Sequence, residues 1–123
     1  MARTRAHHRP VKVTRKYFMV PVTEMGPVAD FYERVFGLKA AFRSDEWTEL
    51  PLADDVAIAL HRGLPTRQEV GLGFEVDDLE AACDLVTANG GTIVDPPKQR
   101  EGEGIRRADV VDPAGNRVSV ASR

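Results

Sequence analysis

The stretch Val76-Asp77-Asp78-Leu79 predicts the start of a helix, and the rest of the chain is organised around it. Asp77 is predicted to cap this helix, and Glu80 three residues later completes a capping box. Gly90-Gly91 is predicted to end the helix, because glycine readily adopts the left-handed conformation that follows many helices. Four apolar residues recur at helical spacing on one face: Leu79, Ala82, Cys83 and Val86. The segment is therefore predicted to be an amphipathic helix packed on a core.

A weaker copy of this segment lies 54 positions earlier in the chain. The shift places Met25 on Leu79. It places Gly37 on Gly91, so both copies end at a glycine. The earlier copy has its own apolar helical face, formed by Val28, Phe31, Tyr32 and Val35. The two copies indicate one structural module used twice.

The length and composition of the chain limit how these modules can be arranged. With 123 residues and 42% hydrophobic content, the chain can bury one core and has room for one compact domain. We predict a basic tail at residues 1–16 and a single domain at 17–123, with module 1 at about 17–63 and module 2 at about 70–121. The chain has no run of 18 apolar residues and no secretory signal, so we expect a cytoplasmic protein without a membrane segment. Cys83, the only cysteine, lies on the apolar face of the predicted helix and is expected to pack there, with no chemical role.

The formal net charge of −2 hides an asymmetry along the chain. Residues 1–16 contain six Lys and Arg residues and no acid, so the remaining residues carry a charge of −8. A basic terminus can bind nucleic acid, but short basic termini are more often solvated arms, and nucleic acid is not the expected partner. The acidic body suits a cationic ligand, although acidity also aids solubility.

Alternating apolar residues predict eight strands around the two helices. In the first strand Phe18, Val20 and Val22 share one face, and Tyr17 lies on the other. Four strands fall between the helices, whereas a ferredoxin-like domain allows only two. The predicted order is β-α-β-β-β twice, an α+β fold in which two βαβββ modules form a curved mixed sheet around a concave cup. The strands are predicted at residues 17–22, 39–43, 46–52, 56–61, 70–76, 92–95, 105–111 and 117–121.

Turn residues predict the connections between these strands. Asp54-Asp55 is predicted to form one turn. Asp112-Pro113-Ala114-Gly115-Asn116 is predicted to form a tight hairpin turn, in which Gly115 or Asn116 takes the left-handed conformation. Residues 96–104 are polar and rich in glycine and proline, and they are predicted to form a loop at the rim of the sheet.

Three segments occur in a distinctive order along the chain. They are Val-Thr-Glu-Met followed by Ala-Asp-Phe-Tyr-Glu-Arg-Val-Phe-Gly-Leu at 22–38, Gly-Phe-Glu-Val-Asp-Asp-Leu at 73–79, and Asp-Pro-Ala-Gly-Asn at 112–116. With this spacing, residues 17 to about 121 resemble the vicinal oxygen chelate superfamily, which includes glyoxalase I, extradiol dioxygenases and bleomycin- and fosfomycin-resistance proteins. The resemblance implies a paired βαβββ fold, a homodimer, and a binding or active cup between modules.

The resemblance also implies where a metal would bind. Metal-dependent members carry His or Gln in the first strand, His in the strand that links the modules, and Glu in the final strand. The matching positions are Tyr17, Gly71 and Ser119, and Ala57 or Ala59 lies at the equivalent place in strand 56–61. None of these is a good ligand for a divalent ion, apart from a Tyr17 phenolate. We therefore expect a member without the usual metal ligands, with no metal and no cofactor.

Strand alternation places further candidate residues on the face opposite the core. The residues expected to bind a ligand are Tyr17, Trp47, Glu49, His61, Arg107, Asp109 and Ser119. If the protein is an enzyme, His61 and Glu49 are the candidate acid and base. Structural alternatives stay open, because Trp47 can cap the core, His61 can be solvated, and Arg107 with Asp109 can form a salt pair.

Two functions of different classes follow from these residues. The first is a metal-independent protein that binds a planar, aromatic or hydrophobic small molecule such as an antibiotic. Sequestration of that compound is the role that this hypothesis allows. The alternative is a glyoxalase-like lyase or isomerase, or a dioxygenase-related enzyme, that uses His61 and Glu49 or an unrecognised metal site. Regulation of nucleic acid is a third hypothesis, and it predicts salt-dependent binding that is lost when residues 1–16 are deleted.

Overall fold

Two four-stranded mixed sheets, each with one helix packed against it, form the protein in a computed structural model that describes residue 10 and residues 14–63, 69–100 and 105–122. In the first sheet, strand β1 is parallel to β4, and the remaining neighbours are antiparallel. In the second sheet, β5 is parallel to β8 in the same way. The elements are β1 (Lys16–Val22), α1 (Met25–Phe36), β2 (Phe42–Arg43), β3 (Trp47–Ala53), β4 (Val56–Arg62), β5 (Glu69–Glu75), α2 (Leu79–Ala88), β6 (Thr92–Arg100), β7 (Ile105–Val111) and β8 (Arg117–Ser122).

The order of strands confirms the predicted α+β fold of two βαβββ units. The first sheet has the order β1-β4-β3-β2 and the second has the order β5-β8-β7-β6. Both sheets are open, so β1 and β2 are edges of the first and β5 and β6 are edges of the second. Each helix therefore covers one face of its sheet and leaves the opposite face uncovered.

A single core lies between the helices and the inner faces of the sheets. The period-2 alternation of the strands sends every second side chain into it. Its fully buried members include Val20, Phe31, Tyr32, Leu50, Ile58, Leu60, Leu79, Val86, Val110 and Val118. The residues predicted for the apolar faces of the two helices lie in or against this core.

Polar and aromatic contacts join the two modules. The ring of Phe36 in α1 stacks on Phe74 in β5 with a centroid separation of 4.2 Å. Tyr32 donates from its hydroxyl to Asp112 Oδ2 at 2.8 Å, and both residues are buried. Asn116 donates from Nδ2 to the carbonyl of Pro21, also at 2.8 Å. The turn between β7 and β8 is thereby fastened to α1 and to the end of β1.

The helix caps differ in part from prediction. Asp78, rather than Asp77, caps α2, because the helix begins at Leu79 and the Asp78 side chain accepts from the Ala81 N–H at 3.0 Å. Glu80 forms no capping box and instead pairs with Arg106 of β7. Gly37 ends α1 in the left-handed conformation, with φ of 71°, as predicted.

Two strands also differ from prediction. β6 continues to Arg100 through Pro96-Pro97, where a loop was predicted, and its register with β7 shifts between Asp95 and Lys98. This is possible because β6 is an edge strand, where a residue without an N–H costs little. β2 begins at Phe42, later than predicted. In the turn after β7, Gly115 takes the left-handed conformation, with φ of 89°.

Some predictions fall on residues outside this description. They include residues 1–9 and 11–13 of the basic tail, residues 64–68 between the modules, and residues 101–104 of the predicted loop. Within the described ranges, neither helix has the length and apolar character needed to cross a membrane.

Candidate functional site

Three aromatic rings meet on the uncovered side of the first sheet, which we call the first open face. Trp47 in β3 lies directly opposite His61 in β4, and their rings meet edge to face with centroids 5.3 Å apart. Tyr17 in β1 also meets Trp47 edge to face, with centroids 6.0 Å apart. Edge-to-face contacts at these separations are favourable for aromatic rings. Trp47 is thus only half-buried and lies outside the core.

Glu49 forms the polar edge of this aromatic group. Its Oε2 accepts from the indole Nε1 of Trp47 at 2.9 Å, and its Oε1 accepts from the guanidinium of Arg15 at 2.7 Å. The hydrogen bond from Arg15 and the one from Trp47 hold the pKa of Glu49 below its usual value. The same ion pair raises the pKa of Arg15. Glu49 is therefore a carboxylate at neutral pH, and both of its oxygens are engaged.

Two alanines lie beneath the side chains of the first open face. Ala57 and Ala59 are fully buried although they lie on this outer side of β4. In the strand register Ala57 is flanked by Tyr17, and Ala59 by both Met19 and Glu49. The longer neighbouring side chains therefore cover both methyl groups.

His61, opposite Trp47 in the strand register, has a ring nitrogen without a hydrogen-bond partner among the described residues. Its Nδ1 is buried, and no residue in the described part of the chain forms a hydrogen bond with it. A buried polar atom without a partner is unfavourable unless a ligand or water satisfies it.

A second group of predicted residues lies on the uncovered side of the second sheet, the second open face. Arg107, Asp109 and Ser119 line a hollow of about 390 Å³ together with Gly71 and Arg117. A neighbouring hollow of about 320 Å³ shares Arg107 and Ser119. The hollow is possible because glycine and serine on β5 and β8 leave space above the sheet.

Asp109 is held between two arginines on this face. Arg117 donates to Asp109 Oδ2 at 3.1 Å, whereas Arg107 Nε lies 3.8 Å from Asp109 Oδ1. Asp109 therefore forms ion pairs with both arginines, at a shorter distance with Arg117, and the salt-pair alternative for Arg107 and Asp109 is confirmed. Among the described residues, the buried Arg107 Nε has no hydrogen-bond partner.

The structure keeps these two groups of predicted residues apart within one chain. Tyr17, Trp47, Glu49 and His61 belong to the first sheet, and Arg107, Asp109 and Ser119 belong to the second. No hydrogen bond, ion pair or ring contact between described residues joins one group to the other. One chain thus presents two separate polar faces.

Two residues of these faces were not predicted from the sequence. Arg15 was assigned to the basic tail, but alternation with Tyr17 and Met19 would have placed it on the first open face. Arg117 was overlooked, although it has the same parity as Ser119 in β8. In both cases the signal is the alternation of side chains between the two faces of a strand.

The residues that form this fold match a known family. The profile of the Glyoxalase/Bleomycin resistance protein/Dioxygenase superfamily covers residues 14–120. The chain belongs to this superfamily. No curated protein matches the chain.

Solved structures of the superfamily have the same fold. A glyoxalase-related enzyme from Fulvimarina pelagi has a TM-score of 0.72 at 20% identity, covering 88% of this chain and 86% of that one. A glyoxalase/bleomycin resistance protein/dioxygenase family enzyme from Burkholderia phytofirmans has a TM-score of 0.73 at 17% identity, covering 91% and 98%. TnmS3, described as an antibiotic binding protein from a Streptomyces species, has a TM-score of 0.68 at 25% identity, covering 94% and 98%.

The residues at the superfamily's metal positions do not fit a divalent ion. Gly71 has no side chain, and its φ of 74° is one that L side chains rarely adopt. Ser119 offers a neutral hydroxyl, and Ala59 a methyl group. The nearby carboxylate of Glu49 is already bonded to Arg15 and Trp47. Within the described ranges, no group of three or more His, Cys, Asp or Glu residues could hold a metal ion.

Proposed function

We propose that this superfamily member is a metal-independent small-molecule binding protein that holds a planar aromatic or hydrophobic compound, such as an antibiotic, on its first open face. The observation that carries the proposal is the aromatic group of Tyr17, Trp47 and His61 on this face. Ligand sites combine such apolar surfaces with a few placed polar groups. Here the polar group is Glu49, which is held in place by Arg15 and Trp47.

Similarity to TnmS3 supports this class of ligand. TnmS3 is described as an antibiotic binding protein, and the match covers nearly the full length of both chains. Sequestration of a toxic compound requires binding alone, without a reaction. A protein with this role needs a rigid aromatic surface more than it needs an acid and a base.

Glu49 argues against the catalytic alternative. A general base works best when its pKa is near the operating pH. Arg15 and Trp47 instead lower the pKa of Glu49, which makes it a weak base. Among the described residues, no hydrogen bond joins Glu49 to His61. Binding is therefore favoured over catalysis by an acid–base pair.

A homodimer is part of the proposal. β1 is an edge strand, and the consecutive residues Tyr17, Phe18 and Met19 on it are 44%, 47% and 44% exposed. Edge strands with exposed apolar side chains tend to gain a partner. A twofold dimer through β1 would place β1 of one copy beside β1 of the other, because both copies use the same surface in such an interface.

Quenching of tryptophan fluorescence tests the proposed function. Trp47 is the only tryptophan, so its emission reports directly on the first open face. Titration with planar aromatic compounds, including aromatic antibiotics, should quench this emission. The dissociation constants should be in the micromolar range, which corresponds to a binding free energy of about −8 kcal/mol. Saturable binding that leaves the emission unchanged would place the ligand elsewhere.

A further inference from the structure

Arg15 lies against both the Tyr17 ring and the Glu49 carboxylate on the first open face. Its guanidinium carbon lies 5.0 Å from the centroid of the Tyr17 ring. One of its nitrogens donates to Glu49 Oε1 at 2.7 Å, and another donates to the Tyr17 hydroxyl at 3.0 Å. A carboxylate beside an aromatic ring is a favourable environment for a positive charge.

The groups around this guanidinium are held by other contacts. Trp47 donates to the second oxygen of Glu49, so the carboxylate stays in place when Arg15 moves. The Trp47 ring in turn packs between Tyr17 and His61. The side chain of Glu49 is only 18% exposed, which strengthens its attraction for a nearby cation.

Arg15 itself is held far less firmly. It lies one residue before β1, and its side chain is 43% exposed. Ion pairs of exposed side chains contribute little to stability, because water and salt screen them. The side chain can therefore leave Glu49 without disturbing the strand ladder.

We propose that Arg15 is a built-in occupant of a cation site, and that the ligand of the first open face is an aromatic cation whose positive group displaces Arg15 from Glu49 and Tyr17. This inference rests on the proposed binding function. It adds the class of ligand, namely an aromatic system that carries a quaternary ammonium, amine or guanidinium group. It also gives Arg15 a role, because an internal competitor lowers the apparent affinity for every such ligand.

Two probes with the same ring and different charge test this proposal. They are (2-naphthylmethyl)trimethylammonium, which is permanently cationic, and 2-naphthalenemethanol, which is neutral. Their affinities are measured by isothermal titration calorimetry on the full chain, together with quenching of Trp47. The variants are Arg15→Ala, Arg15→Ala combined with Glu49→Gln, and Lys16→Ala as the matched control. Lys16 pairs with Asp55 in the turn before β4, so its loss removes the same charge away from the aromatic group.

The proposal expects a selective gain in affinity. Arg15→Ala should tighten binding of the ammonium probe by about 3- to 10-fold and leave binding of the alcohol within about twofold, because only the cation competes with Arg15. Lys16→Ala should leave both affinities within about twofold, since exposed charges act weakly at a distance. Adding Glu49→Gln should remove the preference for the cation.

Other outcomes would overturn the proposed role of Arg15. Equal gains in Arg15→Ala and Lys16→Ala would show an effect of net charge alone, and weaker ammonium binding in Arg15→Ala would make Arg15 a ligand contact. If both probes bind and Arg15→Ala changes neither, the inference fails and the proposed function stands. If neither probe binds the wild type or any variant, the inference and an aromatic site on this face both fail.

Discussion

Gly91, just after α2, lies so close to Phe31 of α1 that a Cβ at position 91 would be 2.8 Å from Cε1 of the Phe31 ring. The same Cβ would lie 2.7 Å from Cγ1 of Val86 and 2.8 Å from the carbonyl oxygen of Val111. Phe31 and Val86 are fully buried and belong to the core. The close packing of the two modules thus requires glycine at this position.

Replacement of this glycine tests the contact between modules. Gly91→Ala should lower the free energy of unfolding by about 1–3 kcal/mol, because the added methyl group overpacks a rigid core. Urea denaturation gives the change as a shift in midpoint. Gly26→Ala is the matched control, since a Cβ there meets no atom within 4 Å and alanine favours the helix. Equal midpoints for the two variants would contradict the packing described here.

The buried hydrogen bond from Tyr32 to Asp112 predicts a second effect on stability. Tyr32→Phe removes one donor from a buried carboxylate and should cost about 1–3 kcal/mol. Tyr17→Phe, which alters an exposed tyrosine, should change stability far less. Urea denaturation at neutral pH measures both variants.

The pH dependence of Tyr32 gives an independent check. Burial, with the Asp112 charge adding to it, raises the pKa of Tyr32 well above its usual value of 10.0. The stabilisation is therefore fully present below pH 10.0 and is lost as the pH rises through the higher folded-state pKa. The stability difference between wild type and Tyr32→Phe should be constant from neutral pH to about pH 9 and shrink at higher pH. A difference that grows with alkaline pH would contradict this assignment.

Much of the fold is predictable from sequence, because it depends on the spacing of apolar residues more than on the exact ends of helices and strands. Trp47 and Glu49 share a face whether β3 begins one residue earlier or later, since side chains alternate along a strand. The repeat at 54 residues likewise survives small errors at the helix ends. The same alternation predicts that the side chains of Arg107 and Ser119 lie on the face opposite the core.

Details that depend on strand order or exact caps were not predictable. Arg15 meets Glu49 across 34 positions, and β4 lies between their strands, so the contact exists only once the sheet order is known. Asp77 and Asp78 are adjacent carboxylates, and only the first helical residue decides which one caps α2. Pro96-Pro97 is tolerated in β6 because that strand lies at an edge.

The chemistry at the superfamily's metal positions predicts the metal content of the protein. Purified protein supplemented with Zn, Ni, Fe and Mn and then dialysed should contain no stoichiometric metal, because Tyr17, Gly71 and Ser119 are poor ligands. Elemental analysis by mass spectrometry measures this. One tightly bound transition-metal ion per chain would contradict the expectation and favour the enzyme alternative.

The exposed edge of β1 predicts the oligomeric state. Sedimentation at micromolar concentration should give twice the chain mass of 13.6 kDa. Phe18→Asp should dissociate the dimer, because it places a charge among the exposed apolar residues of β1. Leu85→Asp, which alters an exposed residue of α2, is the control and should leave the dimer intact. A wild-type monomer, or equal effects of both variants, would argue against a dimer through β1.

Removal of Trp47 tests the central claim that the first open face is the ligand site. Because Trp47 lies outside the core and presents its ring beside Tyr17 and His61, Trp47→Ala should fold normally and weaken aromatic ligand binding by about 1–3 kcal/mol. Calorimetric titration of wild type and variant with the same aromatic ligand, alongside urea denaturation of both, measures the two effects. We expect Trp47→Ala to lose affinity by at least about fivefold, with little change in the free energy of unfolding. Unfolding of the variant, or unchanged affinity in a folded variant, would show that Trp47 is structural and that the ligand binds elsewhere.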